Sequence, residues 1–240
     1  MTTGTLLIVQ NISQEGPGIL DELLNEHEIA FERYDLSKGE SIPDPSSFAG
    51  MVVLGGPQSA NDASVQITGE LKAIREALDA GVPYLGICLG LQLLVKTAGG
   101  GVLKCHQKEI GFREPDGEPF VVELTDAGKQ DALFRGMPER LRVFQLHGET
   151  VTPLESMTVL ATGRGCRNQV LRVGGNAWGL QCHFEMTPAM FESWIDLDHD
   201  LKRMNKKELL GEFDAISTEY AETGRAILLN FLEMTGLLKA

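Results

Sequence analysis

The apolar positions change their period along the chain. In the first half, strand-like runs at 6–9, 31–36, 51–54 and 83–87 alternate with helix-spaced segments. One such segment is 19–24. Another is the series Leu71, Ile74 and Leu78, closed by Gly81 and Pro83. Strands separated by helices need crossover connections, which favour parallel pairing and right-handed turns. The pattern therefore predicts an α/β fold, an open and mostly parallel twisted sheet with helices on both faces. From residue 102 the character changes: 102–104, 110–113, 120–124, 141–146, 158–161, 169–173 and 177–184 all read as strands, which predicts extra antiparallel strands in the second half. Helices return at the end, where Thr187 and Pro188 form an N-cap and first-turn pair and 209–232 carries a long helical pattern. The expected organisation is one domain over 1–240, with a catalytic core at about 5–198 and a helical extension at about 199–240. The proline-bearing stretch 40–47 reads as a mobile surface loop.

Charge narrows the partners. Lys and Arg number 21 against 34 Asp and Glu, a net charge of -13, so a cationic nucleic-acid footprint is not expected. The longest apolar stretch, 85–95, contains Gln92 and stops at Lys96, well short of the roughly 20 residues of a membrane span. The N-terminal segment has no cationic start and no cleavage site, which places the chain in the cytoplasm as an expectation. Cys88, Cys105, Cys166 and Cys182 have no C-x-x-C spacing, so no zinc knuckle or redox pair is read from them. Cys105 and Cys166 are taken as structural, Cys182 as a core residue, and Trp178 and Trp194 as packing residues. His27, His106 and His199 receive no role. The basic run 202–207 reads as a solvated surface.

Three short motifs carry candidate chemistry. At 82–94, VPYLGICLGLQLL runs a buried strand through Gly86, Cys88 and Gly90 straight into a helix, the pattern of a nucleophile elbow. A helix N-terminus beneath the sulfur favours thiolate. An inert cysteine at a strand–helix junction would leave the same G-x-C-x-G trace. At 181–185, QCHFE places His183 and Glu185 two residues apart, ~6.6 Å on one side of a strand, as a base and its orienting carboxylate. A solvated strand edge would read the same. At 55–59, GGPQS follows a strand and lets backbone N–H groups approach a ligand, though an ordinary turn has the same residues. All three lie at carboxyl ends of predicted strands, where open α/β sheets build their sites.

With these segments in view, the chain resembles the class I glutamine amidotransferases, and most closely the free-standing proteins related to the glutaminase domain of GMP synthase. The resemblance rests on LGGPQSAND at 54–62, LGICLGLQLL at 85–94, KEIGF at 108–112, VFQLHGETV at 143–151 and NAWGLQCHFEMTP at 176–188. It implies a flavodoxin-like core and a triad of Cys88, His183 and Glu185. It further implies an oxyanion hole from Gly56 and Leu89, with Gln92, Gln145, His147 and Gly148 on the substrate side. The family often has F-H-P-E where this chain has Cys182-His183-Phe184-Glu185, and W-H-G-D where it has Leu146-His147-Gly148-Glu149; both departures bear on pocket shape. The implied chemistry is hydrolysis of the L-glutamine side-chain amide through a thioester, with no metal or organic cofactor. The ammonia would pass to an acceptor or a separate synthetase, since no P-loop is present to bind ATP. A γ-glutamyl peptidase using the same triad and a non-catalytic regulatory subunit are the competing expectations.

Overall fold

The computed structural model describes residues 4–238. Along the chain run β1 (Leu6–Gln10), α1 (Ile19–Glu26), β2 (Phe31–Asp35), β3 (Gly50–Val53), α2 (Val65–Asp79), β4 (Tyr84–Ile87) and α3 (Leu89–Thr97). There follow β5 (Gly101–Gly111), β6 (Val121–Leu124), the short α4 (Asp126–Lys129), β7 (Arg140–Arg142), β8 (Gln145–Thr152), β9 (Met157–Thr162), β10 (Val170–Val173) and β11 (Ala177–Leu180). Two helices close the chain, α5 (Pro188–Leu197) and α6 (Lys206–Met234). Nine strands form one sheet in the order β2-β1-β3-β4-β11-β10-β9-β6-β7. The pairs from β2 through β11 are parallel, and those from β11 outward to β7 are antiparallel. This is the mixed α/β fold that the change of period predicts. β5 and β8 leave the sheet as a separate antiparallel ribbon.

β1 explains the two-faced core. Its residues are buried throughout: Leu7 and Val9 pack with Ile67, Ile74 and Leu93 on one face, while Leu6 and Ile8 pack with Leu20, Leu23 and Phe231 on the other. A strand buried on both faces has no use for alternating polarity, so it reads as a continuous apolar run. Caps set the helix starts: Ser64 accepts from the Ile67 amide, and Thr187 accepts from Met190 with Pro188 in the first turn. Among the described residues, no helix is long and apolar enough to cross a membrane.

The structure redraws three predicted segments. The run 102–104 and the start of the run 110–113 share one strand, β5, which carries a register break and ends at Gly111. The run 141–146 splits into β7 and β8, because buried Val143 and Phe144 carry the chain from the sheet to the ribbon. The run 177–184 ends as a strand at Leu180. The C-terminal segment at about 199–240 does more than extend the core, since Ile227, Leu228, Phe231 and Leu232 of α6 belong to the same apolar cluster as Leu6 and Ile8.

Two stability predictions follow from helix packing. A Cβ on Gly224 would lie 2.1 Å from the Phe184 carbonyl oxygen, whereas one on Gly211 in the same helix meets nothing within 4 Å. Ala gains about 1 kcal/mol over Gly in a helix interior, but a backbone clash of that depth costs about 1–3 kcal/mol. In urea titration, Gly211→Ala raises the midpoint and Gly224→Ala lowers it. The second prediction concerns Glu70 on α2, which is fully buried; burial pushes its pKa from 4.5 up to about 8, with Asn11 opposing only in part. The native state then holds a proton that the unfolded chain releases, so stability falls as pH rises from about 4.5 to about 8. Glu70→Gln should raise Tm at pH values near 8 and change it little near 4.5, as followed by thermal melts across that range.

Candidate active site

β4 runs into α3 through a single residue, Cys88, held at φ 51° and ψ −101°. A non-glycine residue rarely adopts a positive φ, and strain of this kind needs support from its surroundings. That support is close contact. A Cβ on Gly86 would sit 2.3 Å from the Gly90 carbonyl carbon, and one on Gly90 would sit 2.2 Å from the Val53 carbonyl oxygen. Only glycine at both flanks lets the helix start this near the sheet. The Cys88 amide donates to the Leu180 carbonyl at 2.7 Å, tying the elbow to β11.

The chain beyond β11 returns to the same place. His183 Nδ1 lies 2.7 Å from Glu185 Oε1, and both side chains are buried. Glu185 Oε2 accepts from the Phe184 amide at 2.9 Å, so both carboxylate oxygens are engaged. The two residues meet although the strand has already ended at Leu180. Their placement comes from an isolated bridge of His183 to Phe144 and from the Tyr220 hydroxyl, which donates to the His183 carbonyl at 2.8 Å. Trp194 stands edge-on to the imidazole at 5.1 Å, with Phe144 at 6.1 Å. Trp194 is thus a packing residue as expected, but what it packs is the histidine. A Cβ added to Gly55 would reach His183 Cε1 at 3.4 Å and Cys88 Cβ at 3.6 Å, so the two side chains converge over this glycine. Burial pushes the His183 pKa down, yet the Glu185 charge and the hydrogen bonds of Cys88 and Glu185 outweigh it and hold His183 well above its usual 6.5.

The other expected residues divide. Gly56 lies against Leu89, 3.3 Å from a Leu89 methyl when given a Cβ, and Leu89 opens α3, where the first amides have no intrahelical acceptor. Gln92 is buried and donates to the Glu149 carbonyl and to Gln181 Oε1, both at 3.3 Å. Gln145 is buried with its Oε1 unpartnered among the described residues. The imidazole of His147 is engaged elsewhere, with Nε2 at 3.0 Å from Glu109 and Nδ1 at 3.0 Å from the Glu149 carbonyl. Gly148 packs under Lys108. What the 145–148 segment brings to the thiol is the Leu146 carbonyl, 3.9 Å from Cys88 Sγ. Cys105 and Cys166, read from sequence as unrelated structural thiols, meet at His147.

Two groups absent from the sequence reading belong here. Gln181 Nε2 lies 3.6 Å from Cys88 Sγ. Its position two residues before His183 was the available signal. Glu15, in the connection after β1, is half-buried, with its carboxylate directed at Gly55. Burial pushes its pKa from 4.5 to about 7, with His183 opposing and the charges of Glu185 and Asp198 adding. Glu15 and Asp198 line a cavity of about 320 Å³ with Ile12, Pro57, Leu146 and Trp194; the Leu146 carbonyl is 3.9 Å from Cys88 Sγ. An acid in the connection that follows the carboxyl end of β1 was the available signal.

Comparison with known proteins agrees with this geometry. The chain matches the family described as glutamine amidotransferase class-I over residues 17–195. It is 32% identical over 163 residues to a glutamine amidotransferase-like protein of Salmonella typhimurium, covering 65% of each chain. It is 31% identical over 183 residues to a glutamine-hydrolyzing GMP synthase of Porphyromonas gingivalis, covering 75% of this chain and 33% of that one. The chain thus spans less than two thirds of the length of these curated relatives. A glutamine amidotransferase structure from Thermotoga maritima superposes with a TM-score of 0.85 at 29% identity, covering 97% of this chain and 100% of the other. With a family match across most of its length and a shared fold around a cysteine elbow, the chain belongs to the class I glutamine amidotransferases.

Proposed function

We propose that this chain hydrolyses the side-chain amide of L-glutamine, with Cys88 as nucleophile, His183 as proton carrier and Glu185 as its orienting partner. The observation that carries the reading is the convergence of a strained elbow cysteine with a buried imidazole whose far nitrogen is held by a carboxylate at 2.7 Å. In the first step Cys88 passes its thiol proton to His183 as its sulfur bonds to the amide carbon, and the carbonyl oxygen takes the electron pair. In this reading the Gly56 and Leu89 amides hold that oxyanion, supported by the contact between the two residues at the start of α3. His183, its imidazolium stabilised by the Glu185 charge, gives that proton to the amide nitrogen as the oxyanion collapses and the carbon–nitrogen bond breaks, so ammonia departs and a γ-glutamyl thioester remains. Water then loses a proton to His183 and attacks the thioester; the carbon–sulfur bond breaks, His183 returns the proton to the sulfur, and glutamate is released.

Recognition follows from charge. Glutamine carries an α-ammonium group, and Glu15 with Asp198 offers carboxylates in the cavity that Leu146 and Trp194 also line. Gln92 and Gln181 act as positioning residues: Gln92 holds Gln181 and the Glu149 carbonyl, and Gln181 donates toward the sulfur. His147 and Gly148 then shape β8 rather than touch substrate, while the Leu146 carbonyl lines the pocket. The match to one third of a glutamine-hydrolyzing GMP synthase supports an acceptor reaction supplied from outside these 240 residues, on a synthetase that takes the ammonia in the cytoplasm.

Ammonia release from glutamine should fall by about 10⁴-fold or more in Cys88→Ser and in His183→Ala, and a glutamine-like chloroketone should label the peptide containing Cys88. Retained hydrolysis in Cys88→Ser, or labelling at another cysteine, removes the reading. Faster amine release from γ-glutamyl dipeptides than ammonia release from glutamine moves the assignment to a γ-glutamyl hydrolase. Glu15 generates a separate test. Below about pH 7 its carboxyl is neutral and the attraction to an α-ammonium is lost, so kcat/KM for glutamine should climb as pH rises through 7. Glu15→Gln should flatten that limb and raise KM about 10–100-fold, the equivalent of one charge-assisted contact, with a smaller change in kcat. An unaltered pH profile and KM would take Glu15 out of substrate recognition.

A further inference from the structure

We propose that Cys105, His147 and Cys166 form a zinc site, separate from the thiol of Cys88. The three residues come from distant parts of the chain: Cys105 from β5, His147 from β8, and Cys166 from the connection between β9 and β10. Their ligand atoms all lie within 4.8 Å of one another. Cys105 Sγ is 3.6 Å from His147 Nδ1. In a tetrahedral centre with metal–sulfur bonds of about 2.3 Å and metal–nitrogen bonds of about 2.0–2.1 Å, the sulfur–nitrogen edge is about 3.6 Å. The pair is therefore already at ligand spacing.

The backbone is irregular where the site needs it. In the β5–β8 ribbon Lys104 pairs with Glu149 and Glu109 pairs with His147, five steps along β5 against two along β8, which leaves three extra residues on β5. Bulges of this kind re-aim side chains, and here the extra residues begin at Cys105. The outer partners are also in place. Glu109 Oε2 lies 3.0 Å from His147 Nε2, and Glu109 in turn accepts from the Gln169 amide group at 2.9 Å and the Cys166 backbone amide at 2.6 Å. A carboxylate on the far nitrogen of a ligating histidine fixes its tautomer and leaves Nδ1 free to bind. In this structure Nδ1 also lies 3.0 Å from the Glu149 carbonyl, so the metal would replace one proton on that nitrogen.

Donor chemistry selects the ion. Two thiolates and a neutral imidazole favour zinc over magnesium or calcium, and two thiolates cancel the charge of a divalent cation, so the set of direct ligands is neutral and the buried Glu109 carboxylate is held by its donors from His147, Gln169 and Cys166. A cavity of about 390 Å³ lined by Cys105, His106, Thr150 and Cys166 leaves room for a fourth, non-protein ligand. The metal would clip the ribbon to the β9–β10 connection, one residue from the Leu146 carbonyl that faces Cys88. This assignment does not depend on glutamine being the substrate.

The test is cobalt titration of the reduced, chelator-stripped full chain. One equivalent of cobalt should produce thiolate charge-transfer absorption with tetrahedral ligand-field bands, displaced by one equivalent of zinc. The bands should persist in Cys88→Ser and vanish in Cys105→Ser and in Cys166→Ser, each checked for folding by circular dichroism. Glu109→Gln should weaken binding about 10–100-fold. Absence of the charge-transfer band in the reduced wild-type protein, its survival when both Cys105 and Cys166 are replaced, or recovery of the two residues as a disulfide in the untreated protein each overturns the site.

Discussion

The closeness of α3 to the sheet is the constraint on which the rest of the site depends. Gly86, Gly90 and Gly179 each face backbone or side-chain atoms so near that a Cβ would stand within 2.4 Å of them. At Gly90 no side chain separates this helix from β3 and β4, and at Gly179 the Leu91 side chain alone lies between it and β11. That contact forces the turn into one residue, and the one residue is Cys88. Strain at a positive φ persists because the packing on both sides leaves the thiol no other place. The helix start also lies where the Gly55–Gly56 loop passes, so the Cys88 thiol and the backbone of that loop are set by one approach distance.

The second half of the site is held by elements far apart in sequence. His183 receives Glu185 through its ring, Phe144 through its amide, and Tyr220 through its carbonyl. Two carboxylates lie close to it and behave differently. Glu185 has both oxygens engaged by donors and supports the imidazolium, while Glu15 has burial and the neighbouring negative charges against its ionisation. Environment rather than residue type divides their roles. The same logic separates two histidines: His183 is turned toward the thiol and His147 toward Glu109.

Much of this was legible in the sequence where one local rule governs the outcome. Continuous apolar runs exposed the buried parallel strands, the glycines around Cys88 exposed the elbow, and Thr187 with Pro188 marked the start of α5. What escaped depends on long-range contact. Strand alternation put His183 beside Glu185 for a regular strand that ends three residues earlier, and the pairing survives because Phe144 and Tyr220 replace the ladder. Gln145, His147 and Gly148 were expected on a substrate-side loop; the segment is instead a strand, in which the Leu146 carbonyl and the His147 ring meet different neighbours. Cys105 and Cys166 carry no spacing signal because a register break and a loop, not a short motif, bring them together. Glu15 acquires its setting from α5 and the Gly55 loop, neither of which its own segment specifies.

The placement of α6 has a consequence for the birth of the protein. It is the last of the described elements to be synthesised, yet it supplies one wall of the core shared with β1 and the hydroxyl that satisfies the His183 carbonyl. While the ribosome is still making residues 206–234, the parallel sheet lacks part of its cover and the histidine segment lacks its anchor. Domains generally fold as units during synthesis, so β1 gains this part of its cover and the His183 carbonyl its hydroxyl partner only once α6 docks.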